Sequence, residues 1–441
     1  MNVNNIILDE NQVKIIRSNA VKTIVIAGAG SGKTTTIIGK INYLVNEKNY
    51  NPSDILCISF TNEAVNNIKE KCLYNIDVFT FHKFSLSILK DYKVLNHDLL
   101  GYVIDEYFKW LKYNNKKLYA LYLIYYKNYK QVINRVINII KINNYSLDEV
   151  KNIYKYNKFF LMIILSILKI YNYELESTGY YDFNDMINVA STKIKEKNIR
   201  LKYKYIIIDE FQDISLNRLE LINNVIKNNN AKLLVVGDDY QSIFKFAGSN
   251  LSVFNDFCLN SKIFYLEKTY RNSQELIDVA GSFIMKNKHQ QVKHLKSDKH
   301  LYKPIVIVFY NNISTVLKKT VSLINTNYLI LGRTNKDIEL YDKNYKDKYL
   351  TMHKSKGLEC DNIIIINMNY NFFPSTIREN KYLKTIISKD EFNYAEERRL
   401  FYVALTRTKN KVYLLCKKNN SSVFIDELLK NKDSIEILTF S

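Results

Sequence analysis

Glycine and proline are scarce: eleven and three in 441 residues, so each turn they mark carries more weight than usual. The five cysteines (Cys57, Cys72, Cys258, Cys360 and Cys416) are scattered, odd in number and form no C-x-x-C pair. That set excludes a disulfide framework, offers no zinc site and fits a reducing compartment. The N-terminus lacks the basic start, apolar run and cleavage site of a secretory leader. No apolar run reaches the ~20 residues of a membrane span; the longest, Phe159 to Leu168, ends after ten residues at Lys169 and predicts a buried helix. Repeats and low-complexity tracts are missing too, and a cytoplasmic location is expected.

Acidic residues are also in deficit. Forty-four Asp and Glu face 64 Lys and Arg, a formal net charge of +20, which suits a polyanion such as nucleic acid. The same excess, alongside Asn, Ile and 35 Tyr, also follows from A+T-rich coding, so charge alone does not name the partner. The length allows two to four domains and excludes a peptide hormone or a small disulfide scaffold.

What is present is an alternation. Apolar runs at 23–26, 55–60, 205–208, 233–236, 304–309, 328–331, 363–366 and 412–415 are separated by helical stretches, the pattern of α/β domains with parallel sheets covered on both faces. From about 91 to 180 glycine nearly vanishes and apolar residues take helical spacing, as in Val132, Val136, Ile139 and Ile140. An all-helical insert is expected there. It divides the chain into a first α/β unit over 1–90 and 181–260, the insert over 91–180 and a second α/β unit over 261–441.

Four of the eleven glycines lie between Gly28 and Gly39. Thr23 to Ala27 followed by Gly28-Ala29-Gly30-Ser31-Gly32-Lys33-Thr34-Thr35 reads as strand, glycine-rich turn and helix start, the layout of a phosphate-binding P-loop whose first consensus glycine is replaced by Ala27. In such a loop successive N–H groups face the phosphate oxygens, Lys33 reaches the β- and γ-phosphates and Thr34 coordinates Mg²⁺. Tyr205-Ile-Ile-Ile-Asp209-Glu210-Phe211-Gln212-Asp213 ends a second apolar run in acids. Asp209 is expected to hold the metal and Glu210 to activate the attacking water.

With the segments below, these runs resemble the superfamily 1A helicases of the UvrD/Rep type, and Gly237 to Gly248 is most similar to their DNA helicase IV branch. The resemblance runs from Gln12 to about Cys416 and implies two RecA-like P-loop domains plus the helical insert, with Mg²⁺-ATP bound in the cleft between them. It implies that Gln12 reads the adenine edge, Tyr270 stacks on the base, Gln241 senses the γ-phosphate and Glu359 binds the ribose beside Gly357. Arg271 and Arg407 match the family's phosphate-contacting arginines, and with Lys356 they are expected on the second sheet. For a single strand it implies contacts from Phe60, Thr61, Asn62, Thr80, Phe81, His82, Phe244, Phe246 and His353; aromatic faces stack any base while hydroxyls and amides hold phosphates. Phe246 and Ala247 stand where a Trp and an Arg are common.

Larger relatives carry a second accessory domain between the Arg271 and His353 motifs. Here that interval is 82 residues, and predicted helices near 272–286, 312–325 and 336–345 with two strands fill it; an extra domain needs on the order of 100 more. Residues 417–441 are too few for a nuclease domain. The resemblance therefore implies an ATP-dependent DNA helicase, a 3′ to 5′ single-strand translocase that unwinds poorly without a protein partner, such as a nuclease or a repair or replication factor. A nucleic-acid-binding regulatory ATPase switch and an RNA-directed motor stay open as alternatives.

Overall fold

The computed structural model describes residues 2–89, 93–95, 97–245, 248–375, 380–387, 392–430 and 432–440. Each apolar run expected as a strand is one, and the strands gather into two six-stranded parallel sheets. The first sheet holds β1 (Lys22–Ala27), β2 (Ile55–Ser59), β3 (Asp77–Thr80), β4 (Tyr205–Ile208), β5 (Lys232–Gly237) and β6 (Lys262–Leu266), in the spatial order β6-β1-β5-β4-β2-β3. The second holds β7 (Ile305–Tyr310), β8 (Tyr328–Gly332), β9 (Tyr349–Thr351), β10 (Asn362–Ile365), β11 (Val412–Lys417) and β12 (Ile435–Phe440), in the order β9-β8-β10-β11-β7-β12.

Because side chains alternate along a strand, each apolar run feeds two cores. Ile24, Ile26, Ile206, Ile208, Leu233 and Val235 enter one layer of the first unit, while Val25, Ala27, Ile207, Leu234 and Val236 enter the other. The second sheet divides in the same way, with Ile305, Ile307, Ile363 and Ile365 on one face and Val306, Val308, Ile364 and Ile366 on the other.

The insert is helical, as expected: α5 (Leu99–Asn114), α6 (Lys116–Ile142), α7 (Leu147–Ile153) and α8 (Lys158–Thr178) enclose their own core. A two-residue parallel pairing of Lys93–Val94 with Tyr180–Tyr181 closes its base. The run Phe159 to Leu168 lies within α8, and its Phe160, Ile163, Ile164, Ile167 and Leu168 are buried.

Three expectations are corrected. β6 pairs with β1 from Lys262↔Thr23 to Leu266↔Ala27, so the first unit extends past the 260/261 division. Arg271 consequently lies not on the second sheet but in the connection from β6 to α12 (Gln274–Ile284). The helix expected near 336–345 is replaced by two short 3-10 turns, Asp337–Leu340 and Lys343–Lys348. The insert core also receives α14 (Lys381–Ile386), a short helix from the second half of the chain whose Tyr382, Leu383 and Ile386 are buried there.

Candidate active site and strand path

β1 delivers the chain to a turn that only glycine accommodates. Gly30 and Gly32 have φ of +71° and +77°, and Gly32 caps the start of α2 (Lys33–Asn46). A Cβ on Gly30 would lie 2.7 Å from Arg271 Cβ, and one on Gly32 would lie 2.8 Å from Gln12 Nε2. Ala27 and Ala29 are buried beneath the turn, Gly28 N–H donates to Leu266 O, and Ser31 Oγ is buried with no hydrogen-bond partner among the described residues. Lys33, Thr34 and Thr35 open α2 and are half-buried. This is a cradle for an anion.

β4 ends in the acids. Lys33 Nζ lies 2.9 Å from Glu210 Oε1, and Glu210 N–H donates to Asp209 Oδ1 at 2.9 Å. Glu210 sits at φ +53°, a strained backbone for a non-glycine residue and a common feature of functional turns. Burial raises both carboxyl groups, but Lys33 and Lys356 overcome it at Glu210 and hold that group at about 2. Burial and the neighbouring Glu210 charge push Asp209 up to about 6. Among the described residues no group of three His, Cys, Asp or Glu side chains could hold a metal unaided. A hard cation shared between Thr34, Asp209 and phosphate oxygens fits this donor set, since Mg²⁺ is usually held by one or two carboxylates plus substrate phosphates.

The second unit completes the cleft. Arg407, buried after α15 (Ala395–Leu405), donates from Nη2 to Gln241 Oε1 at 2.9 Å and from Nε to Val403 O at 2.9 Å. Its acceptors are neutral, and burial, then the nearby Arg271, lower it to about 9. A charged guanidinium so placed suits an incoming anion. Arg271 Nε pairs with Glu359 Oε2 at 2.8 Å, and its Nη1 donates to Thr406 O at 3.2 Å. Gly357, at φ +87°, and Glu359 are exposed at this rim. Lys356 crosses to Asp213 Oδ2 at 2.5 Å and to Gln241 O at 2.8 Å.

Gln12 and Tyr270 meet at the far edge of the turn. Gln12 Oε1 accepts Asp9 N–H in the capping box of α1 (Glu10–Arg17), and its Nε2 donates to Thr36 Oγ1 at 3.3 Å. Tyr270 is half exposed, with its hydroxyl donating to Asp9 Oδ2 at 2.9 Å. An amide edge and an exposed ring at one end of a P-loop match a purine in shape and chemistry.

The strand candidates divide. Thr61, the N-cap of α3 (Asn62–Lys71), and Asn62 are exposed, with Phe60 half-buried beside them. His82 is half-buried against Phe183. Phe244 and His353 face each other from the two units, with centroids 6.5 Å apart and Lys356 over the Phe244 ring. Thr80 is buried, and its hydroxyl accepts Lys83 N–H. Phe81 is corrected from a stacking platform to a core residue: it is 2% exposed, packed on Phe60 and beneath Arg218. Phe246 lies outside the described residues.

Sequence reasoning missed several contributors. Thr269, two residues before Arg271, ties the connection to the P-loop by donating from Oγ1 to Ala29 O at 2.8 Å. Arg399 is buried and donates to Ser242 O at 2.6 Å, though its Glu-Glu-Arg-Arg setting reads as a solvated face. Lys409 pairs with Glu359 at 2.9 Å. Lys293, buried against Asp238 and Asp239, stands in a stretch with no periodicity or motif to signal it.

The UvrD/REP helicase N-terminal domain matches residues 8–262, and the UvrD-like helicase C-terminal domain matches residues 331–419. The chain belongs to the UvrD/Rep helicase family. Its two parallel sheets are RecA-like domains of that family. Similar UvrD/Rep proteins include DNA helicase IV of Escherichia coli (strain K12), 26% identical over 97% of this chain and 70% of the relative. The ATP-dependent DNA helicase Rep of Buchnera aphidicola subsp. Schizaphis graminum is 28% identical over 95% of this chain and 66% of its own length. A probable DNA helicase of Mycoplasma pneumoniae is 25% identical over 92% and 83%. Against these three UvrD/Rep relatives the chain spans between 66% and 83% of their lengths.

Proposed function

We propose that this chain is an ATP-dependent DNA helicase that moves 3′ to 5′ along a single strand, hydrolysing Mg²⁺-ATP between its two RecA-like units. The observation that carries this reading is the contact of Arg407, from the second unit, with Gln241, on the first. It brings a cationic finger to the P-loop face opposite Lys33 and Glu210, so hydrolytic competence depends on how the units close.

In this reading Gln12 and Tyr270 orient the base, Glu359 meets the ribose beside Gly357, and the P-loop N–H groups with Lys33 hold the phosphates. Thr34 and Asp209 would hold Mg²⁺, which would supply charge neutralisation at the phosphate oxygens. Glu210, ionised at neutral pH, accepts the hydrogen bond of the attacking water and orients it in line. Lys33 moves from Glu210 to a phosphate oxygen, which relieves the contact that most depresses Glu210 and makes it a better proton acceptor. Arg271 and Arg407 stabilise charge on the transferring phosphoryl group, and Gln241 passes the difference between bound states to the Phe244–His353 contact on the strand path. Phe60, Thr61, Asn62 and His82 supply the rest of that path.

The 82-residue interval between Arg271 and His353 holds β7, α13 (Ile313–Val321), β8 and β9, which favours a chain without the second accessory domain and one that unwinds with help from a protein partner. The test is steady-state ATP hydrolysis with and without poly-dT or a matched RNA, for the native chain, Lys33→Ala and Glu210→Gln. Stimulation by DNA above RNA, abolished in both variants, is the expected result. Hydrolysis indifferent to any strand points instead to the regulatory switch and overturns the motor.

A further inference from the structure

We infer that Lys293 is a positioning residue that fixes which end of the Gln241 amide faces Arg407; the inference rests on the role given to Gln241 above. The segment between α12 and β7 lies along the β6–α12 connection, with Lys296 N–H donating to Glu267 O at 2.7 Å and Thr269 N–H to Lys296 O at 2.9 Å. From that anchor it sends two side chains into the first unit. Leu295 covers the P-loop at Gly28, where a Cβ would lie 2.3 Å from Leu295 Cδ2. Lys293, its side chain 1% exposed, pairs with Asp238 and, at 2.6 Å, with Asp239.

Two adjacent carboxylates with no exposed surface both pair with this one ammonium, as buried charges generally require a partner. Lys33 and Arg407 also act on Asp238 through their charge, but the other hydrogen-bond partners of the two carboxylates among the described residues are neutral. Asp239 accepts Gln290 Nε2 at 2.8 Å and Gln291 N–H at 2.7 Å; Asp238 Oδ1 accepts Tyr240 N–H at 3.1 Å. Asp238 Oδ2 accepts Gln241 Nε2 at 2.6 Å, and this leaves Gln241 Oε1 facing Arg407 Nη2. An ionised carboxylate only accepts, so it selects the NH₂ end of the amide and forces the oxygen toward the arginine. Lys293 therefore acts through Asp238: its bond to Oδ1 holds the carboxylate with Oδ2 turned to the amide, which keeps the amide oriented and the cross-cleft bond made.

The experiment is a double-mutant cycle on the full chain, reading kcat and KM for ATP with and without poly-dT. Lys293→Met and Gln241→Ala each lower kcat about tenfold, with KM changed less than about twofold, and the double variant is no slower than Gln241→Ala alone. Lys293→Arg recovers most of the rate. Losses that multiply in the double variant, or a loss carried by KM, overturn the proposal. Asp238→Asn leaves Lys293 paired with Asp239, strands no charge and so tests the link even if Lys293→Met does not fold. It reproduces the kcat loss with a native melting temperature, and a native kcat in Asp238→Asn overturns the proposal. Indifference of the native chain to poly-dT strikes the helicase reading alone, because the cycle on the strand-free rate still decides the role of Lys293.

Discussion

Tyr382 lies face to face with Phe160, their ring centroids 3.8 Å apart and the planes 11° from parallel. The first belongs to a short helix of the second half of the chain and the second to the helical insert, and Tyr154 Oη seals the contact by donating to Tyr382 O at 2.8 Å. Removing a buried aromatic ring usually destabilises by about 3 to 5 kcal/mol. Tyr382→Ala should therefore weaken the insert by about 3 kcal/mol, and Tyr382→Phe by less than about 1. The only tryptophan, Trp110, is in α5 of the insert, so its fluorescence during urea unfolding reports this region directly. An alanine variant within about 0.5 kcal/mol of native would mean that the α14 contact carries no stability.

Gly30 in the P-loop and Gly179 at the end of α8 provide a matched comparison. Both are left-handed, at φ +71° and +68°, but nothing lies within 4 Å of a Cβ on Gly179, whereas one on Gly30 meets Arg271 Cβ at 2.7 Å and Thr269 Oγ1 at 2.8 Å. Each alanine adds backbone strain of about 1 kcal/mol. Only Gly30→Ala also pushes the Tyr270–Arg271 segment off the loop, so it should abolish strand-stimulated hydrolysis while Gly179→Ala keeps it. Equal activity in the two variants would refute the steric argument.

The features legible in the sequence were those whose physics is local. A continuous apolar strand run, a glycine turn before Lys33, and acids at the end of Tyr205–Ile208 each show in a few consecutive residues. β6 escaped because Lys262-Ile-Phe-Tyr-Leu266 is an edge strand with two exposed residues at its start, and nothing local says which sheet it joins. Phe81 reads as a platform by the resemblance of its Thr80-Phe81-His82 run, yet its burial is set by α9 (Phe183–Glu196) and α10 (Leu216–Asn229), which lie more than a hundred residues away in sequence. Lys293 and α14 are tertiary facts of the same kind: their partners, Asp238 and Phe160, are distant in the chain.

His82 and His353 should set an acid limit. Burial, then Arg218, lowers His82 to about 4; burial, then Arg333 and Lys356, lowers His353 to about 4. The unfolded chain takes up protons on both near the ordinary pKa of about 6.5, before the folded chain does. Their contribution to stability is complete above pH 6.5 and is lost as pH falls from there toward 4. The melting temperature of a His82→Gln/His353→Gln variant should fall less steeply than native between pH 6.5 and 4.5. Parallel curves would exclude these histidines as the cause.

Arg407 should tolerate no lysine. Its guanidinium spans two directions at once, with Nη2 to Gln241 and Nε to Val403 O, and a single ammonium cannot reproduce that fork. Burial lowers it only to about 9, so it is charged at neutral pH and any defect in Arg407→Lys comes from geometry rather than lost charge. Loss of such a finger typically costs 10³ or more in turnover when the residue is deleted, and a misplaced cation recovers only part. Arg407→Lys should thus lower kcat about a hundredfold or more, with a much smaller change in KM for ATP. Binding of a fluorescent dT oligonucleotide without nucleotide should match native by anisotropy, since Arg407 is buried beneath the cleft and does not line the Phe244–His353 path. A lysine variant within a few-fold of native turnover would remove Arg407 from the chemistry and leave Arg271 as the only finger.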